Sequence, residues 1–230
     1  MKIALLGAGK TGGKVQELAV NHTVTLFDLD HLPTLELLKG HDVMISFLPG
    51  EAFASYIPLL LKSKIPAIIG STGVPWPEKI HQMINENECR WVISANFSLG
   101  MRLIHPMIEI LSQTPRLFKE CEAHIHEIHH TKKLDAPSGT AILWKKWLGM
   151  ENTSVTSERV GDVVGIHELK IETENEIITL RHEAKDRRIF AEGALWAAER
   201  LIADKSLGFG LHNFEQMVTK FCSEVTNERQ

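Results

Sequence analysis

The residues Lys2-Ile-Ala-Leu-Leu6 form a short apolar run that breaks at Gly7-Ala8-Gly9-Lys10-Thr11-Gly12, after which the chain reads as helical to about Ala19. Glycines in a G-x-G-x-x-G pattern gather in any tight turn, so the pattern alone is weak. Its setting is what constrains the fold: it follows a strand and opens a helix. A second buried strand, Val24-Thr25-Leu26-Phe27, then ends at Asp28. That is close to the offset of roughly 20 residues at which a carboxylate meets the ribose of a bound dinucleotide. The glycines let backbone amides approach a pyrophosphate, and the helix N-terminus adds partial positive charge. An ionised Asp28 accepts hydrogen bonds from a ribose 2′-hydroxyl and repels a 2′-phosphate, and Leu29-Asp30-His31 brings no Arg or Lys beside it. Between NADH and NADPH this favours NADH, with Lys10 or Lys14 as the compensating cation for NADPH.

The alternation continues. After a short helix near Leu35 to Lys39, strands are expected near Val43 to Phe47, Ala67 to Ile69 and Trp91 to Ser94, with helices over Glu51 to Lys62 and Trp76 to Asn85. Apolar strands alternating with helices imply a parallel sheet covered on both faces, a Rossmann-type α/β domain. The later strands end in Phe47-Leu48-Pro49-Gly50, Gly70-Ser71-Thr72-Gly73 and Ser94-Ala95-Asn96-Phe97-Ser98. Such residues are turn formers. Three such ends along one carboxyl edge, where open α/β sheets bind ligands, read better as walls of a single cleft.

Beyond Phe97 the texture changes to a long amphipathic helix over Ser98 to Ser112, a strand over Cys121 to His130, a helix over Ala141 to Leu148 closing on Gly149, and strands over Val163 to Glu172 and Ile177 to Glu183. Helical segments over Phe190 to Ile202 and Leu211 to Phe221 return to the first lobe. The expected organisation is therefore a dinucleotide-binding domain of residues 1–97 and 187–230, and an α+β domain of residues 98–186 for substrate binding and oligomerisation. A formal charge of −4 argues against nucleic acid as a partner, and no apolar run approaches membrane-spanning length. Three scattered cysteines and a start without a basic, cleavable leader fit a reducing, cytoplasmic setting.

The most informative stretch is Glu127-Ile-His129-His130-Thr-Lys-Lys133-Leu-Asp-Ala-Pro-Ser138-Gly139-Thr140-Ala141. The alternation of the strand puts Ala123, Ile125, Glu127 and His129 on one face and His124, His126, Ile128 and His130 on the other. The chain then turns, and Ser138-Gly139-Thr140 opens a helix. Free amides and hydroxyls there, with Lys133 and an imidazole, can form a carboxylate receptor. His129 suits proton transfer near neutrality, and Lys133 suits proton donation. Plain capping by Ser138 or Thr140 and ordinary strand packing of the histidines are the competing readings. His124, His126, His129 and His130 invite a zinc reading, with His124 and His126 on one face and Glu122 near, but no third ligand at a standard spacing is visible, so no metal is expected.

Written out as EIHHTKKLDAPSGTA, this stretch resembles the signature of the 4-hydroxy-tetrahydrodipicolinate reductase family. The similarity extends to GSTG at Gly70–Gly73, SANFS at Ser94–Ser98, RVGDVVGIHE at Arg159–Glu168 and HEAKDRRIFAEGALWAAERL at His182–Leu201. The resemblance implies a hydride passed from NADH or NADPH to C4 of a small cyclic dicarboxylate, with loss of its hydroxyl as water. It implies His129 as proton donor or acceptor and Lys133 as proton donor, with His130, Lys133, Ser138, Gly139 and Thr140 around the substrate. Cofactor contacts are implied at Gly7, Ala8, Gly9, Lys10, Thr11, Gly12, Asp28, Phe47, Gly70, Ser71, Thr72, Ser94, Ala95, Asn96, Phe97 and Arg187, and a homotetramer assembled through the second lobe's sheet. The chain departs from the family in reading GAGKTG at its first turn and FLPG after its third strand, and is expected to be trimmed between Gly149 and Arg159. Another NAD(P)-dependent dehydrogenase on the same scaffold, or a non-catalytic NADH-binding protein, are the alternatives.

Overall fold

The structure is a computed structural model that describes residues 1–227, with side chains through residue 224. The chain falls into two compact units, Met1–Leu99 with Arg187–Gln230, and Gly100–Asp186.

The first unit begins β1 (Lys2–Leu6), α1 (Gly12–Leu18), β2 (Thr23–Phe27), α2 (Leu35–Leu38), β3 (Val43–Ser46), α3 (Gly50–Ala54), α4 (Ile57–Ser63), β4 (Ala67–Ile69), α5 (Ile80–Glu86) and β5 (Arg90–Ile93). The second unit holds α6 (Leu99–Leu111), which begins at the boundary, α7 (Thr114–Leu117), β6 (Glu122–His129), α8 (Gly139–Leu148), β7 (Ser154–Arg159), β8 (Gly165–Glu172) and β9 (Ile177–Ala184). The first unit is completed by α9 (Arg188–Ala203), β10 (Gly210–Asn213) and α10 (Phe214–Asn227).

Six parallel strands in the order β10-β5-β4-β3-β1-β2 make the first sheet. Successive residues of one strand enter opposite cores: Ile3 and Leu5 pack with α1, α9 and α10, whereas Ala4 and Leu6 pack with the helices between β2 and β5. Both faces are buried, which is why these strands read as unbroken apolar runs. The register places Phe27, Leu6, Ser46, Ile69, Ile93 and Asn213 on one final rung. Every following turn, at Gly7, Asp28, Phe47, Gly70 and Ser94, therefore leaves the same edge. The strand order reverses at β1, the topological point at which such sheets bind ligands.

Three local expectations are corrected. The single helix over Glu51 to Lys62 is two, because Pro58 in the first turn of α4 has no amide for Ala54 and its ring would meet that carbonyl. Gly210–Asn213, expected to run into a helix from Leu211, is an edge strand paired with β5. Between Gly149 and Arg159, where the sequence reading placed no element, lies β7, paired parallel to β6.

The second unit's sheet runs β7-β6-β8-β9, with the β6/β8 and β8/β9 pairs antiparallel. Ala123, Ile125, Leu169 and Ile171 on its inner face pack with Met101, Ile104 and Ile108 of α6 and Ala141, Trp144 and Leu148 of α8. The inner face is apolar at one end only. Its next row across the sheet is Ser157, Glu127, His167 and His182, followed by Arg159 and His129.

Candidate active site

In the first unit the glycine turn is set by close packing. A Cβ on Gly12 would stand 2.0 Å from the Gly7 carbonyl oxygen, so only glycine lets α1 start this near the end of β1, while Gly7 itself takes a φ of +88°. A Cβ on Gly9 meets nothing within 4 Å. Gly12 is thus a packing glycine, and at Gly9 the space beside the protein backbone is open. The open space at Gly9 fits the pyrophosphate of a dinucleotide, while Gly12 is accounted for by packing alone.

The neighbouring turns brace themselves. Asp28 Oδ1 accepts from the amides of Asp30 and His31, both at 3.0 Å, which holds the exposed carboxylate at the end of β2. Ser94 Oγ accepts from the Asn96 amide at 3.1 Å, and Asn96 Oδ1 accepts from the Ser98 amide at 2.8 Å. Ser46 and Ser71 hydroxyls lie 3.2 Å apart, joining the ends of β3 and β4. Thr11, Phe47, Gly70, Thr72, Ala95, Phe97 and Arg187 line a cavity of about 560 Å³. Phe97 reaches it from the core, where its ring packs with Phe47 and Phe214. Gly7 to Lys10, Gly12, Asp28, Ser71, Ser94 and Asn96 lie outside that lining, along the same sheet edge.

In the second unit β6 delivers Glu127 and His129 to the inner face, both buried, as the period-two reading expected. Glu127 Oε2 is bonded to His129 Nδ1. Glu127 Oε1 accepts from Arg159 at 2.9 Å and from the Ser138 amide at 3.2 Å. Burial would raise the Glu127 pKa, but hydrogen bonds from Ser157 and Arg159, the nearby imidazole and the Ser138 amide outweigh it and hold the pKa down at about 2. Burial lowers the His129 pKa, and the Lys133 and Arg159 charges act with it, against the opposing pull of Glu127. His167, its ring centre 5.0 Å from that of His129, is driven to about 3, chiefly by burial.

Ser138 is the N-cap of α8. Its Oγ accepts from the Ala141 amide at 3.2 Å and lies 3.1 Å from His167 Nε2, so this buried hydroxyl works beneath the site. Gly139 is exposed and Thr140 half-buried at the first turn above it, and His130 is half-buried. Lys133 Nζ donates to both Asp135 oxygens at 2.8 and 2.9 Å, which lowers the Asp135 pKa. Glu127, Arg159 and His167 were not among the sequence-derived site residues. Glu127 carried the available signal, a carboxylate two residues before an inward histidine on one strand.

Among the described residues, Glu127, His129 and His167 bring ligand-type atoms within 4.8 Å of one another. The donor set does not suit a cation: the Arg159 guanidinium and the Ser138 amide already occupy Glu127. His124 and His126, the same-face pair of the zinc reading, instead bond Ser154 and Thr156 at 2.7 and 2.8 Å. A larger hollow of about 1030 Å³ lies by Cys121–His124 and Lys170, at the far end of the same strands from His129.

Residues 1–97 match the family model described as dihydrodipicolinate reductase, N-terminus, and residues 103–217 the model for its C-terminus. A 4-hydroxy-tetrahydrodipicolinate reductase of Thermosipho africanus is 32% identical over 225 residues, spanning 95% of this chain and 98% of that protein. One from Christiangramia forsetii is 30% identical over 228 residues, spanning 87% and 92%. Among solved structures, dipicolinate-bound dihydrodipicolinate reductase from Paenisporosarcina sp. TG-14 superposes with a TM-score of 0.72 at 20% identity, covering 94% of this chain and 98% of that one. The DAP dehydrogenase of C. glutamicum, in complex with DAP, shares the fold more distantly, with a TM-score of 0.55 at 10% identity over 94% and 93%. Both family models together take in nearly the whole chain, and it belongs to the dihydrodipicolinate reductase family.

Proposed function

We infer that the chain reduces 4-hydroxy-tetrahydrodipicolinate to tetrahydrodipicolinate with a nicotinamide cofactor, in the diaminopimelate route to lysine. The observation that carries the reading is the pairing, within one short segment of the second unit, of a buried histidine on a charged carboxylate with a lysine held by Asp135, whose carboxylate also takes the Gly139 amide at the start of α8. Those are the groups that a dianionic substrate losing a hydroxyl requires. The cofactor, when bound, supplies the hydride. Gly9 and its neighbours hold the pyrophosphate, and Thr11, Phe47, Gly70, Thr72, Ala95 and Arg187 the remainder of the dinucleotide.

Substrate carboxylates sit on the amides and hydroxyl of Gly139 and Thr140, with His130 and Lys133 as cationic or donor partners. Overall, one hydride forms the new bond at C4, and one proton leaves with the hydroxyl as water. His129 and Lys133 supply and relay that proton, Lys133 after exchanging Asp135 for the substrate. Asp28 favours NADH, because a fixed carboxylate at the end of β2 repels a 2′-phosphate. The family resemblance further supports a cytoplasmic homotetramer built through the second unit's sheet.

The test is loss of nicotinamide absorbance with substrate generated in situ, run with NADH and with NADPH. Consumption of either that requires the substrate supports the reading, and none with either rejects it. Lys133→Ala and His129→Ala lower turnover by roughly 10²–10⁴ while cofactor affinity stays within about twofold. Equal loss of both quantities contradicts the assigned roles.

A further inference from the structure

We propose that Glu127 and Arg159 are the positioning pair of the proton-transfer site, with Glu127 fixing the tautomer of His129 and Arg159 tying that carboxylate to the loop that carries Lys133. The proposal rests on the role given to His129 above.

Glu127 is fully buried, and each of its carboxylate oxygens is engaged. A carboxylate that receives a guanidinium, a main-chain amide and a serine hydroxyl is an ionised acceptor and has no proton to give. The His129 nitrogen against it must therefore be the protonated one. Nδ1–H points to Glu127, and Nε2 is left as the nitrogen that takes up or releases a proton. The far side of the ring is kept clear by Gly165: a Cβ there would stand 3.0 Å from His129 Nε2. Any larger residue on β8 would crowd the reactive atom.

Arg159 does two things with one nitrogen. Its Nη2 donates to Glu127 Oε1 and also to the carbonyl oxygen of Asp135. Asp135 in turn holds Lys133 through both side-chain oxygens. The guanidinium thus links the two proton-carrying residues through one hydrogen-bonded bridge, His129 to Glu127 to Arg159 to the 135 carbonyl. Lys133 is the other cation acting on His129, and it is held by Asp135 rather than by Glu127. On β8, His167 is buried and neutral, and on β9 His182 is lowered by burial as well. From α8 the N-cap Ser138 supplies only an amide to Glu127 and a hydroxyl to His167.

A merely structural ion pair would affect folding and leave the proton chemistry alone, so the test reads the proton. Wild type, Glu127→Gln, Arg159→Lys and Arg159→Met are compared for kcat, substrate KM and the pH–rate profile, with cofactor affinity as the check that the first unit is intact. Ring nitrogen NMR of His129 is recorded in the ligand-free protein. Expected are an Nδ1–H ring in the wild type and a kcat lowered about 10- to 100-fold in Glu127→Gln, an order typical of removing the partner that orients a histidine. Without the anion, the limb assigned to His129 shifts to lower pH. Arg159→Lys retains more activity than Arg159→Met. A wild-type ring protonated on Nε2, or a Glu127→Gln enzyme with wild-type kcat and pH profile, overturns the proposal. If Glu127→Gln fails to fold, the wild-type ring spectrum and the Lys–Met comparison at position 159 still decide it. If the wild type consumes no cofactor with substrate, the reductase reading falls, and the ring spectrum alone decides the tautomer.

Discussion

Replacing Gly12 by alanine tests whether the first turn is built by packing or by its ligand. The added Cβ would lie 2.0 Å from the Gly7 carbonyl oxygen, where Cβ contacts under 3.0 Å are essentially never seen. The obstacle is backbone, so no rotamer relieves it, and α1 must move from the end of β1 by about 1 Å. Overpacking of this kind costs about 1–3 kcal/mol, and a main-chain obstacle places Gly12→Ala at the upper end. For a unit of this size each kcal/mol lowers Tm by about 2–4 °C, so a fall of roughly 6–12 °C is expected. Gly9→Ala is the control. Its Cβ meets nothing within 4 Å, and its backbone is outside the left-handed region, so Tm should hold or rise slightly. The methyl nonetheless occupies the space given to the pyrophosphate, and NADH affinity should fall by about tenfold or more, equivalent to at least ~1.4 kcal/mol. Thermal melts and a fluorescence titration of NADH read both quantities. Gly12→Ala melting with the wild type refutes the packing argument, and Gly9→Ala binding NADH normally refutes the placement of the ligand.

Asp28→Ala should raise the NADPH-to-NADH ratio of kcat/KM by about tenfold, the scale of one removed charge repulsion; an unchanged ratio moves the ribose contact elsewhere. Ser138→Ala removes both the cap on Ala141 and the partner of His167, and should cost about 1–2 kcal/mol by urea unfolding. A loss below about 0.5 kcal/mol, the range of a plain surface substitution, would deny the hydroxyl that role. Burial holds the folded pKa of His167 near 3, below its ordinary 6.5, so the unfolded chain binds the proton first as pH falls. Its contribution is full above 6.5 and is lost on the way to 3, and Glu127, at about 2 against 4.5, adds a further loss below 4.5. A urea midpoint that stays flat from pH 6.5 to 4.5 would contradict a buried neutral His167.

The first unit was legible because its strands are covered on both faces, so apolar runs and intervening turns marked nearly every element. The failures have physical causes. Pro58 splits a helix whose side-chain periodicity continues across the break. Gly-Leu-His-Asn over 210–213 is too short to show a period, and it is a strand because β5 offers it an edge. In β7 the inward residues are Val155, Ser157 and Arg159, two of them polar, so it shows no apolar alternation. His129 and Lys133 were singled out by residue type and position. Glu127 was placed on one face with His129, yet its partner Arg159 arrives from a strand 32 residues away through pairing that no local pattern encodes.

The inner face of the second sheet shows where this chain gives up stability. Its apolar end is ordinary core, with Ile125 between Val155 and Leu169 and Trp144 and Leu148 above. The next row could continue in the same way, and valine or leucine at 127, 167 and 182 would leave neither a buried carboxylate nor an imidazole there. Instead it holds Glu127, His167 and His182, with His167 Nδ1 and His182 Nδ1 buried without a hydrogen-bond partner. Unpaired buried polar groups each cost on the order of 1–3 kcal/mol. Hydrogen bonds from Ser138 and Arg159 offset the charge of Glu127 but leave those two nitrogens uncompensated. The start of α8 lies over this polar end, where the same residue that caps the helix also supports the carboxylate and the imidazole. A fold that only needed to be stable would carry the apolar rows through. Under the proposed function the polar rows have a use: they hold a proton at one nitrogen of His129, in one orientation, beneath the helix end assigned to the substrate.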